Sequence, residues 1–124
     1  MEPLHSYKDL VVWQKAISLA VATYALTNTF PRNELYSLTS QIRRSAVSIA
    51  SNIAEGRYRG TRKDFLQFLR IAYASGAELE TQLSIAQKVT TIPNEKYTEV
   101  NSLLNEAMCM LNVIIRRLNK PASQ

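Results

Sequence analysis

Apolar residues recur at intervals of three and four along the chain in four stretches, and turn-forming residues separate one stretch from the next. Such spacing lines up apolar side chains on one side of an α-helix, whereas a half-buried strand would alternate every second residue. The stretches predict helices over about residues 8–28, 34–56, 62–89 and 95–119. Because the connections are short, consecutive helices must run in opposite directions. We predict an all-α fold, an antiparallel up-and-down four-helix bundle, with residues 1–124 forming a single domain.

Each predicted helix has one apolar side that we expect to be buried. In the first helix this side consists of Leu10, Trp13, Ile17, Ala20 and Tyr24. The corresponding residues are Leu38, Ile42, Ala46, Ile49 and Ile53 in the second helix, Phe65, Leu69, Ala72, Gly76, Leu79, Leu83 and Ala86 in the third, and Tyr97, Val100, Leu104, Ala107, Leu111, Ile114 and Leu118 in the fourth.

Turn-forming residues mark where the predicted helices end and begin. Pro31 ends the first helix, since the residue before a proline is disfavoured in the helical conformation. Gly56 is a candidate for the left-handed residue that ends the second helix. Thr61 is the predicted cap of the third helix, with Asp64 as its capping-box partner, and Asn94 is the predicted cap of the fourth.

Charge and cysteine content narrow the setting in which this bundle works. The chain has 15 Lys and Arg against 10 Asp and Glu, a formal charge of +5, which favours polyanions or acidic surfaces as partners. The single cysteine excludes an intrachain disulfide, and residues 1–9 lack the basic character of a secretion signal. The most apolar stretch, residues 10–26, contains Gln14 and Lys15 and is too short to span a bilayer. We expect a cytoplasmic protein without a membrane partner.

Residues that would carry catalysis or bind a metal are scarce. The single histidine, His5, lies before the first helix without a neighbouring ligand. Cys109 stands between Met108 and Met110, where we expect a small thiol, buried or partly buried, that lacks a histidine base. No glycine-rich phosphate loop and no Gly-x-Ser-x-Gly motif is found. We therefore predict no catalytic residue, no metal and no cofactor.

A polar stripe accompanies the apolar side of the second helix. Its members recur at intervals of three and four, and the third helix has a similar set; the two sets are Gln41, Arg44, Ser48, Asn52 and Glu55, and Ser75, Glu78 and Gln82.

Two interpretations of this polar stripe stay open. In the first it forms a hydrogen-bond network inside the bundle, with Arg44 paired to Glu78 and with Asn52 or Glu55 bonded across the two helices. In the second, part of it is a subunit interface. A catalytic role for Glu55 or Glu78 cannot be linked to any particular reaction, because a base, a nucleophile and a cofactor site are all missing from the sequence.

The connection between the second and third helices is basic. Arg57, Arg59, Arg62 and Lys63 surround Tyr58, so the turn is a candidate for contact with nucleic-acid phosphates, and the alternative is a solvated turn that aids solubility. Arg43 and Arg70 are further candidates for the same surface. Three more cations, Arg116, Arg117 and Lys120, lie at the end of the fourth helix, where their interaction with the helix dipole is sufficient to explain them.

Five segments of the chain resemble one bacterial family, the four-helix bundle proteins of the 23S ribosomal RNA intervening-sequence type. They are residues 8–16, 38–49, 51–56, 65–72 and 78–83, and the resemblance as a whole covers nearly the entire chain. The family's biochemical role is largely unassigned. The accessory variability protein of diversity-generating retroelements is similar, and it is a basic homopentamer that binds nucleic acid and works with a reverse transcriptase.

The resemblance implies a homo-oligomer, with a pentamer favoured. Together with the charge of the turn, it leads to the hypothesis of a non-enzymatic oligomer that binds RNA or DNA through the basic turn. The alternative is a protein-interaction scaffold without nucleic-acid binding. One departure concerns helix geometry: family members often have Ser-Ile-Pro where this chain has Ser48, Ile49 and Ala50. Since alanine keeps the backbone hydrogen bond that proline would remove, we expect a straight second helix.

Overall fold

The protein is described by a computed structural model over residues 6–121, and every regular element in that range is helical. Each helix packs against the next one, and the first also packs against the last, which closes the bundle. The fold is therefore the predicted all-α, antiparallel up-and-down four-helix bundle. Its helices are α1, Val11–Thr27; α2, Ser40–Tyr58; α3, Arg62–Val89; and α4, Thr98–Leu118.

The predicted apolar sides of α2, α3 and α4 are confirmed. Ile42 and Ile49 of α2, Leu79 of α3 and Leu111 of α4 are fully buried in one common core. Just before α4, Tyr97 is also fully buried, and its hydroxyl shares a hydrogen bond with Thr90 Oγ1 at 3.1 Å. The hydrogen bond removes the penalty of burying the phenol, so this large side chain can fill one end of the core.

The predicted buried side of α1 is only partly correct, since Leu10, Trp13 and Ala20 pack half-buried against the core. Ile17 and Tyr24 are exposed, and the side that enters the core is rotated from the predicted one. Apolar residues surround α1 on all sides, so periodicity cannot select one of them. Two threonines enter the core because their hydroxyls donate to carbonyl oxygens four residues earlier. The buried residues are Val12, Ala16, Leu19, Ala22, Thr23, Leu26 and Thr27.

The glycine that ends α2 is Gly60, and the prediction for Gly56 is wrong. Gly60 has φ of 84°, the left-handed conformation that glycine adopts without strain. Gly56 instead lies within α2 and faces α3. A Cβ atom built on Gly56 would lie 2.6 Å from the Cβ of Phe68, so the helix contact requires a glycine there.

Helical turns that are tighter or wider than an α-helical turn precede α2 and α4. A 3₁₀ turn at Arg32–Glu34 and a π-turn at Leu35–Thr39 lead into α2, which begins six residues later than the predicted 34. A 3₁₀ turn at Asn94–Tyr97 leads into α4, so Asn94 is the first residue of that turn and not the cap of the helix. The Thr61 cap is confirmed, because Thr61 Oγ1 accepts a hydrogen bond from the Asp64 amide at 3.1 Å.

Within residues 6–121, no helix combines the length and the uninterrupted apolar character that crossing a bilayer requires.

Candidate nucleic-acid interface

The α2–α3 connection and the C-terminal end of α4 form one surface. Arg62, at the start of α3, donates from Nη2 to the carbonyl oxygens of Leu118 at 2.6 Å and Lys120 at 2.8 Å, and from Nε to Leu118 at 3.0 Å. About two turns further along α3, Arg70 Nη2 donates to Asn119 Oδ1 at 3.1 Å. These contacts hold the last turn of α4 beside the first turns of α3. We call this surface, residues 55–70 and 116–120, the basic end.

The net positive charge of the basic end exceeds that of the whole chain, because the rest of the chain is slightly acidic. Its two segments include eight Lys and Arg against two Asp and Glu, a formal charge of +6, whereas the chain as a whole has +5. The remaining residues therefore sum to −1. Charge of one sign concentrated at one end of a bundle produces a local positive potential that a net charge of +5 spread evenly would not.

Aromatic rings hold two of these cations in place. The Arg59 guanidinium lies 4.8 Å from the ring centre of Phe68 and donates to Glu55 Oε2 at 3.0 Å. The Arg57 guanidinium lies 5.8 Å from the ring centre of Phe65. Arginine stays charged over an aromatic ring, so the rings order both cations, and Arg59 is in addition paired with Glu55. Tyr58, between them, has 84% of its surface exposed.

A cleft of about 480 Å³ opens at the basic end. It lies between the start of α3 and the end of α4, and Arg57, Arg62 and Arg117 line it together with Phe65. The amino end of a helix attracts anions through its free amide groups. An anion in this cleft would therefore meet the guanidinium groups of Arg57 and Arg117 and the amino end of α3, whereas Arg62 is already bonded to α4.

Six of the seven residues predicted for nucleic-acid binding lie together at the basic end, and the seventh, Arg43, lies apart from them. Arg43 precedes Arg57 by 14 residues on α2, about 21 Å along a helix that rises about 1.5 Å per residue. Arg43 lies over the Tyr24 ring at 4.5 Å and donates to Thr27 Oγ1 at 2.7 Å and Asn28 Oδ1 at 2.9 Å. It belongs to the opposite end of the bundle. The six residues of the basic end are Arg57, Tyr58, Arg59, Arg62, Lys63 and Arg70.

Sequence reasoning missed the contribution of α4 to this surface. Arg116, Arg117 and Lys120 were explained by the end of their own helix, although more than fifty residues away in sequence a second basic group shares that end of the bundle. The signal was present in the topology. In an up-and-down bundle, the end of the fourth helix and the turn between the second and third must lie at the same end.

Part of the polar stripe forms an internal network. Ser48 and Ser75 share a hydrogen bond of 2.9 Å across α2 and α3. Asn52 Nδ2 donates to the Ser48 carbonyl oxygen at 2.8 Å and to Ser48 Oγ at 3.0 Å, so its bonds stay within α2. Glu55 also stays within α2, since it pairs with Arg59. The serine pair is thus the cross-helix bond, in place of the one predicted for Asn52 or Glu55.

The predicted Arg44–Glu78 ion pair does not form between these two described residues. Both side chains are exposed, and both line a cleft of about 400 Å³ together with Gln41 and Gln82. Arg44 Nη2 donates to Ser40 Oγ at 3.4 Å. Gln82 is only 8% exposed, and its Oε1 has no hydrogen-bond partner in the described part of the chain. The interface interpretation of these four residues stays a prediction.

Candidate catalytic groups are not gathered. Cys109 is exposed, contrary to the prediction, because it lies on the outer side of α4 between the partly buried Met108 and Met110. Over residues 6–121, no three His, Cys, Asp or Glu side chains are close enough to hold a metal ion. His5, the remaining candidate ligand, lies outside the described residues.

Comparison with known proteins supplies the context for this surface. A family model described as "23S rRNA-intervening sequence protein" matches residues 8–113. A crystal structure of a protein with unknown function from the S23 ribosomal protein family of Bacteroides thetaiotaomicron VPI-5482 is similar, with a TM-score of 0.78 and 30% sequence identity over 86% of this chain and 96% of that chain. A comparison with curated proteins gave no match.

Proposed function

The chain belongs to the 23S rRNA-intervening sequence protein family, and we propose that it is a non-catalytic oligomeric bundle that binds the backbone of RNA or DNA. The proposal rests on the concentration of positive charge at the basic end, where eight cations stand against two acids. The family name refers to ribosomal RNA, and a polyanion of this kind is the ligand that such a surface attracts most strongly.

Phosphate contacts would come mainly from the cations that are not engaged within the fold. Lys63, Arg116 and Arg117 are exposed, whereas Arg62 is engaged with α4 carbonyl groups. Contacts to phosphates position a protein without reading bases, so binding should tolerate changes of sequence. Tyr58 supplies an aromatic surface beside these cations on which a base can stack.

Assembly would strengthen this binding. The proposed oligomer is a homopentamer, which rests on the resemblance described for the sequence, and the proposed location is the cytoplasm. In a ring of five chains, five basic ends would act on one nucleic acid, so weak single contacts would add up to appreciable avidity.

Salt dependence of binding tests the proposal. We expect the double variant Lys63→Gln, Arg117→Gln to bind a short generic RNA more weakly and with a smaller salt dependence. Each lost phosphate contact should reduce the slope of log K against log salt by about 0.7 for single strands and about 0.9 for duplex DNA. Fluorescence anisotropy of a labelled RNA and of a matching duplex DNA, at several salt concentrations, measures both quantities.

A matched variant controls for the loss of charge itself. Lys88→Gln, Lys96→Gln removes the same charge from exposed positions outside the basic end, so its binding should stay close to that of the unaltered protein. Equal weakening in the two double variants would show that only net charge matters, and binding that ignores salt would contradict a phosphate-based mechanism.

An apolar groove favours a second candidate function, a protein-interaction scaffold. The groove has a volume of about 390 Å³ between α1 and α4, and almost all of its lining is apolar, from Leu10, Val11, Cys109, Met110 and Val113 among others. Exposed apolar surface of this kind is typical of protein contacts. If the scaffold is the function, the protein should assemble normally and ignore both nucleic acids at low salt.

A further inference from the structure

A second exposed tyrosine stands at the end of the bundle opposite the basic end. Tyr36 is 93% exposed and lies in the π-turn Leu35–Thr39, just before α2. Few residues in proteins adopt a π-helical turn, and a large share of such turns lie at functional sites. A ring so exposed contributes almost nothing to the core, so the fold itself does not require a tyrosine at this position.

Tyr36 borders a cleft of about 480 Å³ that also presents Arg43, Arg44 and Thr39. Tyr24 and Arg43 form a stacked wall, and the hydrogen bonds of Arg43 to the end of α1 keep that wall in place. Arg44 is exposed, and its hydrogen bond to Ser40 Oγ is long, at 3.4 Å. Its guanidinium is therefore available to a ligand.

Thr39 supplies a buried polar group to the same cleft. It is 2% exposed, and its Oγ1 has no hydrogen-bond partner among the described residues. The other buried threonines, Thr23 and Thr27, donate to carbonyl oxygens four residues earlier. Thr39 does not, although buried hydroxyls are nearly always paired. Thr39 lines the cleft, so its hydroxyl is an unpaired polar group beside it.

We infer that this cleft binds an unpaired nucleobase, so that the nucleic acid held by the protein is single-stranded. The base stacks on Tyr36, its edge forms a hydrogen bond with the Thr39 hydroxyl, and Arg44 contacts the adjoining phosphate. A base inside a duplex presents neither its face nor its Watson–Crick edge, so a duplex cannot enter. The inference rests on the proposed function, because the cleft adds base contacts to the phosphate contacts of the basic end.

Helix α2 gives the two sites a common axis. An exposed tyrosine stands beside arginines at each end of this helix: Tyr36 with Arg43 and Arg44, and Tyr58 with Arg57 and Arg59. The two groups of arginines are about 20 Å apart along α2, a distance that a short single strand spans. Alternation of cations with stacking surfaces is the pattern by which proteins bind single strands without reading their sequence.

Replacement of Tyr36 tests the inference, with a labelled single-stranded RNA and a duplex of the same sequence as probes. We expect Tyr36→Ala to weaken single-strand binding about 5- to 150-fold, the effect of losing one stacked base, and to leave duplex binding unchanged. Tyr36→Phe keeps the ring and should bind as the unaltered protein does. Tyr73→Ala, which removes a tyrosine from the other side of the bundle, should leave both affinities unchanged.

The outcomes separate this inference from the proposed function. Unchanged single-strand binding by Tyr36→Ala, together with loss of binding in the Lys63, Arg117 double variant, would overturn the nucleobase cleft and leave the basic end intact. Equal weakening of single-strand and duplex binding would also overturn it. If the unaltered protein binds neither probe at low salt, the proposed function fails. If Tyr36→Phe and Tyr36→Ala weaken single-strand binding by the same amount, the ring itself contributes nothing and stacking is excluded.

Discussion

At the scale of single residues, Gly56 determines how closely α2 and α3 approach. A Cβ atom at this position would lie 2.6 Å from the Cβ of Phe68 and 3.4 Å from the Cα of Phe65. Atoms so near the backbone of α3 cannot move unless the helix moves. The glycine therefore sets the position of the phenylalanines over which Arg57 and Arg59 are held.

Replacement of Gly56 by alanine should destabilise the fold. We expect Gly56→Ala to lower the free energy of unfolding by about 1–3 kcal/mol, the usual effect of forcing atoms into a packed site. This loss exceeds the gain of up to about 1 kcal/mol that alanine brings to a helix. Urea unfolding followed by circular dichroism, at one fixed protein concentration, measures the difference.

Gly76 provides a matched control on α3. The three atoms nearest to a Cβ built there all belong to the side chain of Met108, whose flexible thioether can turn aside. Gly76→Ala should therefore change the free energy of unfolding by no more than about 1 kcal/mol, with the gain in helix propensity offsetting the rearrangement. Equal losses at the two glycines would contradict the rigid contact inferred at Gly56.

At the scale of elements, Arg62 joins the start of α3 to the end of α4. The last carbonyl groups of a helix have no partner within the helix, and here the Arg62 guanidinium donates hydrogen bonds to those of Leu118 and Lys120. The bonds also complement the negative end of the helix dipole. Arg62 thus acts as a cap supplied from another helix.

Loss of this cap should loosen the end of α4. We expect Arg62→Gln to speed hydrogen exchange of the amides in the last turn of α4 and to lower the free energy of unfolding by about 1 kcal/mol. Exchange followed by mass spectrometry locates the change. The neighbour Lys63 is exposed and serves as control, since Lys63→Gln removes the same charge and should leave the exchange unchanged. Identical exchange in the two variants would argue that the Arg62 contacts contribute little.

At the scale of the whole molecule, the bundle separates its surfaces by chemistry. Positive charge collects at the basic end, an exposed tyrosine and two arginines border a cleft at the other end, and an apolar groove runs between α1 and α4. Such a division allows one face to contact other subunits while both ends stay available to a ligand.

The apolar groove is the surface that we expect assembly to cover. Light scattering after size-exclusion chromatography should give about five times the mass of one chain, and Val113→Glu should shift it toward the monomer, because a charge in an apolar contact loses its hydration. Val89→Glu places the same charge on an exposed residue of α3 and should not change the mass. A monomeric unaltered protein would contradict assembly, and a pentamer that persists in Val113→Glu would exclude the groove as its contact.

Sequence periodicity predicted most of this fold because it records which side of a helix meets the core. It was only partly right for α1, whose apolar residues lie on all sides, so only packing against α2 and α4 could select Val12, Ala16 and Leu19 as its buried residues. It also assigned the left-handed glycine to Gly56, since a glycine needed for a turn and one needed for a close helix contact look alike in sequence. Only the neighbouring Phe68 distinguishes the two roles.

The helical class, the number of helices and the basic character of the α2–α3 turn could be predicted from the sequence, because those properties depend on local spacing and charge. Which distant residues share a surface depends instead on the packing of the helices in three dimensions. This packing brought Arg116 and Arg117 to the turn, moved Arg43 to the other end, and left Thr39 Oγ1 without a partner beside the exposed Tyr36. Such groupings depend on how helices pack across the bundle, and no local pattern along the chain records them.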